Sequence, residues 1–387
     1  MDQLRSDHDR KASAPDQILE QIYQKAVSAV GSPFVTDPDV QARIQLIAQG
    51  QGNRSCVRAL LACALAKTYL PASDIRKPYT KIEADDTYSG RDYDERYVGP
   101  FSTQHQLPVN ATTAFLTPAF RNRNVVLTPD IDLVGRPPQM YAALLQLLTD
   151  VQSGRVESEQ LLAETIRQLV LIRETNTAKI SDLLRNLQDE SSGNMLAAEA
   201  IVKVIEHHLS MSGVSRLPVL IVAAIYQVAK NNLGERLLEL EAHQAADKQT
   251  GAIGDLQITL IDDANIVTAY EMKDRPVTIE ALDLAVSKIA EHARIDNYIF
   301  ITTEAIDQSV SDYAAKLYAR TGGIEIVVLD CIGFLRHFLH LFYRLRETFL
   351  NAYQELVLQE PESAVGQHLK EAFLLLRAAA EKANLSE

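Results

Sequence analysis

The chain has 387 residues, 47% of them hydrophobic, which gives room for about two globular domains. Its net charge of −13 argues against binding nucleic acid through overall charge, although a local basic groove is compatible with it. No early stretch has the order of a signal peptide, and the longest apolar run, residues 217–229, is too short to span a bilayer. Three cysteines without metal-ligand spacing fit a reducing compartment, so we expect a cytoplasmic protein without membrane segments.

The N-terminal part is predicted to be mainly helical. Residues 1–15 are polar and without periodicity, which predicts a disordered tail. Residues 16–215 show helical periodicity on both sides of a loop-rich interruption. Helices are predicted after Pro15, from Pro38 and from Asn53.

The interruption, residues 74–138, contains seven prolines and several turn signals, which indicates a structured, loop-rich insertion. DNA readout uses arginine or lysine for guanine, amides for adenine, and basic or hydroxyl groups for phosphates. The segment supplies these residue types with tyrosines between them, but its acidic residues nearly balance its basic ones. It is therefore either a DNA reader or a loop-rich structural domain. Its candidate DNA contacts are Arg76, Lys77, Arg91 and Arg121.

From residue 216 to the end, the pattern predicts an α/β core followed by long helices. A helix begins at Arg216-Leu217-Pro218 and continues, after a break, as residues 234–246. Beyond Gly251 strands and helices alternate. The predicted strands are 255–262, 266–273, 297–303 and 324–330, and the predicted helices between them are 279–293 and 311–321. The order ββαβαβ implies a mixed sheet flanked by helices.

The second predicted strand ends in charged residues. Glu271 and Lys273 are two residues apart, so they share one face of the strand. If residues 262–264 form a three-residue turn, the antiparallel register places Asp255 opposite Glu271. Two carboxylates and one ammonium group then converge at one end of a hairpin.

Such a cluster can carry out metal-assisted hydrolysis. Asp255 and Glu271 can share Mg²⁺, with the backbone carbonyl of Met272 as a third oxygen ligand. A metal held in this way polarises a phosphodiester and activates a bound water molecule, while Lys273 orients or deprotonates that water and offsets negative charge. The alternative is a solvated pair at a strand end, beside an unrelated aspartate. The helix and strand downstream favour the catalytic interpretation.

The chain resembles known nucleases in these same residues. The stretch AIGDLQITLIDDANIVTAYEMKDRPVT, with the following helix and the strand DNYIFITT, resembles the PD-(D/E)xK nuclease core, with Gly254 in place of the proline. Further stretches resemble the SacI family of type II restriction endonucleases over most of residues 50–305. These stretches are IRKPYTKI, DDTYSGRDYDERYV, LPVNATTAFLTPAFRN, LTPDIDLVGRPP, SRLPVLIVAAIYQVA and HQAADKQTGAIGD.

The resemblance implies a restriction-endonuclease-like mixed sheet, catalytic residues Asp255, Glu271 and Lys273, and Mg²⁺-dependent cleavage of double-stranded DNA. It also implies a homodimer acting on a palindrome, protected in the host by a cognate methyltransferase. The family namesake cuts within GAGCTC, which makes that sequence a candidate target. The resemblance favours a DNA-reading role for residues 74–138.

The sequence offers further candidate site residues outside this cluster. In this superfamily a helix before the core often supplies another carboxylate. Glu239 is our choice over Glu235 and Glu241, with a solvated acidic helix face as the alternative. Arg275 can contact a phosphate or pair with Asp274 or Glu280. The histidine pairs 207–208 and 337 with 340 are interpreted as core or surface residues, because neither has companion metal ligands.

Two other functions remain open from the sequence. One is a PD-(D/E)xK nuclease with a repair or structure-specific role, which cuts at damage, ends or junctions. The other is a non-catalytic DNA- or protein-binding module with a residual nuclease fold, which cleaves nothing.

Overall fold

A computed structural model describes residues 14–50, 54–82, 84–110, 112–190, 195–240, 253–290 and 295–386. These residues cluster into two compact units. One holds residues up to 178 together with 361–363, and the other holds 179–360 and the residues from 364 onward. The boundary predicted between 215 and 216 stays a prediction. Residues 1–13 of the predicted tail lie outside the described ranges.

The first unit is built on helices that begin where the sequence offers a start signal. The long helices are α1 (Pro15–Ser28), α2 (Pro38–Ala48), α3 (Ser55–Tyr69) and α6 (Pro138–Gln152), and α7 (Ser158–Glu190) begins here. Proline occupies the first turn of α1, α2 and α6, where its missing N–H costs nothing. The Asp37 side chain caps α2 by accepting hydrogen bonds from the next turn. The Ala- and Leu-rich helix α3 is buried along most of its length.

The loop-rich segment is ordered by a buried ion pair. Its short elements are α4 (Gly90–Tyr93), a π turn (Asp94–Val98), α5 (Gly99–Gln104) and a 3₁₀ turn (Ala114–Leu116). The fully buried carboxylate of Asp94 accepts hydrogen bonds from Arg58 of α3, from the Thr113 hydroxyl and from the Ala114 amide. Burial raises the pKa of Asp94, and these donors oppose that rise. The pair therefore ties distant parts of the segment to the central helix.

The second unit is an α/β layer structure around a five-stranded sheet. Its helices are α8 (Ala198–Leu209), α9 (Leu217–Leu233), α10 (Ile279–Ala290), α11 (Gln308–Thr321), α12 (Cys331–Leu341), α13 (Arg346–Gln359) and α14 (Gln367–Ser386). Its strands are β1 (Glu235–Leu237), β2 (Leu256–Leu260), β3 (Ile266–Lys273), β4 (Asn297–Thr302) and β5 (Glu325–Asp330). The strand order is β1-β2-β3-β4-β5, antiparallel from β1 to β3 and parallel from β3 to β5. The predicted mixed α/β fold, with a helical N-terminal region, is confirmed.

The helix predicted over residues 234–246 is wrong where the structure describes it. Helix α9 ends at Leu233, and Gly234 adopts a left-handed conformation with φ of 68°. Glycine takes that conformation without steric cost and stops a helix. Residues 235–237 then pair with β2 as the edge strand β1, while 241–246 lie outside the described ranges.

Alternation along the strands divides the apolar residues between two cores. One core lies against α8, α9 and α12–α14, and its strand residues are Leu256, Ile258, Tyr270, Ile299 and Ile301. The other lies against α10 and α11, and its strand residues are Ala269, Tyr298, Phe300, Ile326 and Val328. Both faces of the sheet are therefore covered, as parallel strands require.

No helix in the described ranges combines the length and apolar content that a membrane crossing needs. The three cysteines are buried as free thiols. Burial raises the pKa of each thiol, at Cys56, Cys63 and Cys331, to about 12, so these groups stay protonated and unreactive at neutral pH.

His208 is a core residue, as the sequence predicts. Its Nδ1 lies 3.0 Å from the Tyr353 hydroxyl of α13 and its Nε2 lies 3.0 Å from the Leu369 carbonyl of α14. A neutral ring satisfies both contacts, with Nε2–H donating to the carbonyl and Nδ1 accepting from the hydroxyl. Burial lowers the pKa of His208 from 6.5 to about 4.

The lowered pKa of His208 predicts that the free energy of unfolding decreases in acid. The ring is neutral in the folded state, whereas an unfolded chain protonates it below about pH 6.5. Its stabilisation is therefore complete above pH 6.5 and is lost as the pH falls toward 4, by roughly 3 kcal/mol in the free energy of unfolding. His208→Gln, which keeps a donor and an acceptor without titrating, should flatten this dependence in urea unfolding followed by circular dichroism. The exposed neighbour variant His207→Gln should behave like wild type; equal pH slopes for all three proteins would contradict the assignment.

Candidate active site

The hairpin of β2 and β3 brings the predicted carboxylates to one end of the sheet. Leu256 pairs with Tyr270 and Ile258 with Thr268, so Asp255, just before β2, lies across from Glu271. A register shift between Ile258 and Thr259 lies on the turn side of these pairs and leaves this end unaffected. The carboxylate of Asp255 accepts a hydrogen bond of 2.6 Å from the Met272 amide. Asp255 is thus fixed beside the strand that carries Glu271.

Glu271 and Lys273 form an ion pair on the same face of β3. The distance between Lys273 Nζ and Glu271 Oε1 is 2.7 Å, and the side chains are 34% and 15% exposed, respectively. The pair is therefore neither fully solvated nor sealed in the core. The solvent side stays open to a ligand, while the Glu271 carboxylate is largely shielded from water.

Tyr298, which was not among the residues predicted from the sequence, also belongs to this cluster. The Tyr298 hydroxyl of β4 donates toward Glu271 Oε2 at 3.1 Å and also lies 3.0 Å from the Ile253 carbonyl oxygen. Tyr298 is 1% exposed. The parallel pairing of Glu271 with Phe300 puts Tyr298 on the face that Glu271 occupies. A phenol among the buried residues of β4, next to the apolar run of residues 299–301, was the available signal.

Gly254 allows the backbone before Asp255 to touch β3. A Cβ at this position would lie 2.5 Å from the Tyr270 carbonyl oxygen, closer than real Cβ atoms approach. A proline, the residue of the resembling nuclease core, would collide in the same way. Glycine is thus the residue that fits this close approach.

The ligand atoms gathered here suit a hard divalent cation. They are the carboxylates of Asp255 and Glu271 and the backbone carbonyl of Met272. That carbonyl points to the same side of β3 as the Met272 amide, which donates to Asp255. A carboxylate has about four acceptor sites, so it can hold a hydrogen bond and a cation together. In the described ranges, no group of three or more His, Cys, Asp or Glu side chains is arranged to hold a metal. Mg²⁺ often needs only one or two carboxylates, with water and phosphate oxygens completing its shell.

The other candidate carboxylates are placed differently from expectation. Glu239 is exposed and lies two residues beyond β1, not on a helix. The Leu238 amide donates to the Gln257 carbonyl, which keeps this segment beside β2. Glu235 is in β1, and Glu241 lies outside the described residues. A metal-binding role for Glu239 stays a prediction.

Two of the proposed DNA contacts, Arg76 and Lys77, are held by aspartates of their own loop. Arg76 forms two hydrogen bonds to Asp74, at 3.0 and 2.7 Å. Burial raises the pKa of Asp74, but the hydrogen bonds from Arg76 outweigh it and hold that pKa below its usual value. Lys77 lies 2.8 Å from Asp86. These cations are pre-oriented by their partners, and their contact with DNA stays a prediction.

The remaining candidates are more accessible. Arg91 pairs with Glu95 one turn later, a contact of 2.7 Å on the surface. Arg121 is exposed, and no partner in the described ranges forms an ion pair with it. Arg275 is 87% exposed and lies 3.6 Å from Asp274, the pairing foreseen as its alternative role. A phosphate can therefore reach Arg121 and Arg275 without breaking a strong ion pair.

Comparison with known proteins supports the resemblance. Residues 192–304 match the family model described as the SacI restriction endonuclease C-terminal domain. This part of the chain is similar to that domain and is called the SacI-type domain below. The SacI-type domain contains β1 to β4 and all three residues of the predicted catalytic cluster. No curated protein matches the chain.

The close approach at Gly254 predicts a cost for any side chain there. Gly254→Ala forces the new Cβ against the Tyr270 backbone, and we expect it to lower the free energy of unfolding by about 1–3 kcal/mol. The measurement is the shift in urea midpoint. Gly31→Ala serves as the control, since its Cβ meets nothing within 4 Å. Equal effects of the two substitutions would show that the backbone at Gly254 is not tightly packed.

Proposed function

We propose that the protein is a type II restriction endonuclease that hydrolyses phosphodiester bonds of double-stranded DNA at a short palindromic site. The observation that carries this proposal is the ion pair of Glu271 and Lys273, which ends β3 across from Asp255 within the SacI-type domain. A hairpin with these three residues, followed by a helix and a parallel strand, is the arrangement of PD-(D/E)xK nucleases. The described fold supports that comparison.

Asp255, Glu271 and the Met272 carbonyl are the proposed Mg²⁺ ligands. When bound, Mg²⁺ supplies a Lewis acid that polarises the phosphodiester and lowers the pKa of a bound water molecule. The Met272 amide orients Asp255, and Lys273 keeps Glu271 in place. The binding geometry is therefore set by the protein before any substrate arrives.

Lys273 is proposed to act on the attacking water and on the phosphate. An ammonium group has three N–H donors, and one is directed at Glu271. The others can hold the water in line for attack and offset the negative charge that develops on the phosphate oxygens. The partly exposed position of Lys273 suits both tasks, because substrate can reach the ammonium group while Glu271 holds it in place.

The partners follow from the same proposal. A palindrome presents two equivalent scissile bonds, and a homodimer presents two equivalent centres related by the same symmetry. Residues 74–138 are proposed to read the DNA. A cognate methyltransferase in the host would protect the host's own sites, and GAGCTC is the first target to test.

Removing single members of the cluster should separate binding from cleavage. Asp255→Ala and Lys273→Ala should reduce the cleavage rate by about 10²–10³-fold or more, because each removes charge stabilisation at the reacting group. Both should keep specific DNA binding in mobility-shift assays without Mg²⁺. The exposed variants Asp262→Ala, in the hairpin turn, and Lys316→Ala, on α11, are matched controls with wild-type rates. Full activity in either cluster variant would defeat the assignment.

The type of nuclease is tested by the ends that it makes. Plasmids with and without a single GAGCTC site are digested with Mg²⁺ or EDTA, and the fragment ends are sequenced. Discrete fragments with constant ends, absent in EDTA, are expected. Constant ends at another sequence would correct the target alone. Cuts at nicks, junctions or termini would indicate a structure-specific nuclease, and no cleavage would indicate a binding module.

A further inference from the structure

One buried hydroxyl connects the two segments that carry the candidate carboxylates. Tyr298 OH lies 3.1 Å from Glu271 Oε2 on β3 and 3.0 Å from the Ile253 carbonyl oxygen, two residues before Asp255. The sequence offered no role for this tyrosine. Its position behind the cluster, away from solvent, separates it from groups that touch substrate.

We propose that Tyr298 is a positioning residue that sets the separation of the two carboxylates for a divalent cation. This inference rests on the proposed function, since the cation site belongs to it. The hydroxyl lies between one oxygen of Glu271 and the Ile253 carbonyl oxygen of the backbone that leads into Asp255, and it shares its one proton between them. The carboxylates are thereby held relative to each other and not only to their own strands.

The rigidity of the ring makes this role physically effective. Tyr298 is packed in the core beneath α10 and α11, with the Phe300 ring centroid 5.3 Å away. A phenol ring enclosed in this way has few rotamers, so its oxygen is a fixed point. The two oxygens of Glu271 therefore have unlike partners. The Lys273 ammonium group on Oε1 belongs to a partly exposed side chain, whereas the Tyr298 hydroxyl on Oε2 belongs to a fully buried ring.

The segment before β2 is held at neighbouring points by this arrangement. The Ile253 carbonyl oxygen contacts the Tyr298 hydroxyl, and Gly254 packs against the Tyr270 backbone. The Asp255 carboxylate accepts a hydrogen bond from the Met272 amide. A phenol has one proton to share between Ile253 and Glu271. An ionised carboxylate is a stronger acceptor than a backbone carbonyl, so removing the hydroxyl should mainly disturb the orientation of Glu271.

A matched tyrosine in the same sheet provides the control. Tyr270 is as deeply buried as Tyr298, and its hydroxyl lies 2.9 Å from the Tyr226 hydroxyl in the core on the opposite face. Tyr298→Phe and Tyr270→Phe therefore each remove one buried, hydrogen-bonded oxygen. Only the first removal touches Glu271.

The test is the affinity of the full-length protein for Mn²⁺ without DNA, measured by electron paramagnetic resonance. Tyr298→Phe should raise the Kd for Mn²⁺ about tenfold, the usual effect of losing a group that orients a metal ligand. Tyr270→Phe should bind Mn²⁺ as wild type does, although its thermal unfolding midpoint should be similar to that of Tyr298→Phe. In DNA cleavage, Tyr298→Phe should need more Mg²⁺ for half-maximal rate, and saturating Mg²⁺ should restore most of that rate.

Glu271→Gln separates failure of this inference from failure of the proposed function. If Glu271→Gln loses Mn²⁺ binding while Tyr298→Phe keeps wild-type affinity, the positioning role is overturned and the nuclease proposal stands. If the wild-type protein does not bind Mn²⁺, or if Glu271→Gln binds it normally, both are overturned.

A second measurement tests the inference if the Tyr298→Phe protein does not fold. 3-Fluorotyrosine incorporated at position 298 alone keeps the hydroxyl group. Its ¹⁹F resonance should shift when Mg²⁺ is added, because the phenol contacts a proposed metal ligand. The same label at position 270 should shift less. No shift at position 298 with saturating Mg²⁺ would overturn the inference.

Discussion

The antiparallel register of β2 and β3 is the constraint on which the candidate site depends. Pairing Leu256 with Tyr270 sends both side chains to the core on one face and leaves Asp255 and Glu271 to the other. A slip by one residue would exchange the faces and send a carboxylate into the core that Tyr270 occupies. The hydrophobic pattern that stabilises the sheet therefore also fixes the chemistry at its end.

This arrangement sets stability against function at the end of β3. A carboxylate that is largely removed from water is costly unless donors replace the lost solvent. Glu271 receives one donor on each oxygen, from Lys273 and from Tyr298. The two donors come from a surface side chain and a core side chain, so the carboxylate lies where the apolar layer meets solvent. Conflicts of this kind between local preference and fold are expected at functional sites.

Local signals were enough to predict the hairpin and its charged end. The range of β3, residues 266–273, follows from its alternation. The predicted position of Asp255 opposite Glu271 agrees with the pairs Leu256–Tyr270 and Ile258–Thr268, although the register shifts by one residue nearer the turn. Residues 234–240 were misassigned because their spacing of Leu and Glu also fits a helix, whereas Gly234 adopts a left-handed conformation that ends helix α9. The phenol in β4 was a visible signal, but its contact with Glu271 could not be foreseen, because that contact depends on a parallel pairing across a helical crossover. Sequence spacing does not encode such a contact.

Charge balance gives the proposed cation a second task besides chemistry. In the cluster, two carboxylates face one ammonium group, which leaves one negative charge where a phosphodiester would have to bind. The chain as a whole carries −13, so its long-range field also opposes DNA. A divalent cation between Asp255 and Glu271 would reverse the local sign and attract the scissile phosphate. On the proposed function, the metal is then part of substrate binding at this site, while affinity elsewhere must come from individually placed cations such as Arg121 and Arg275.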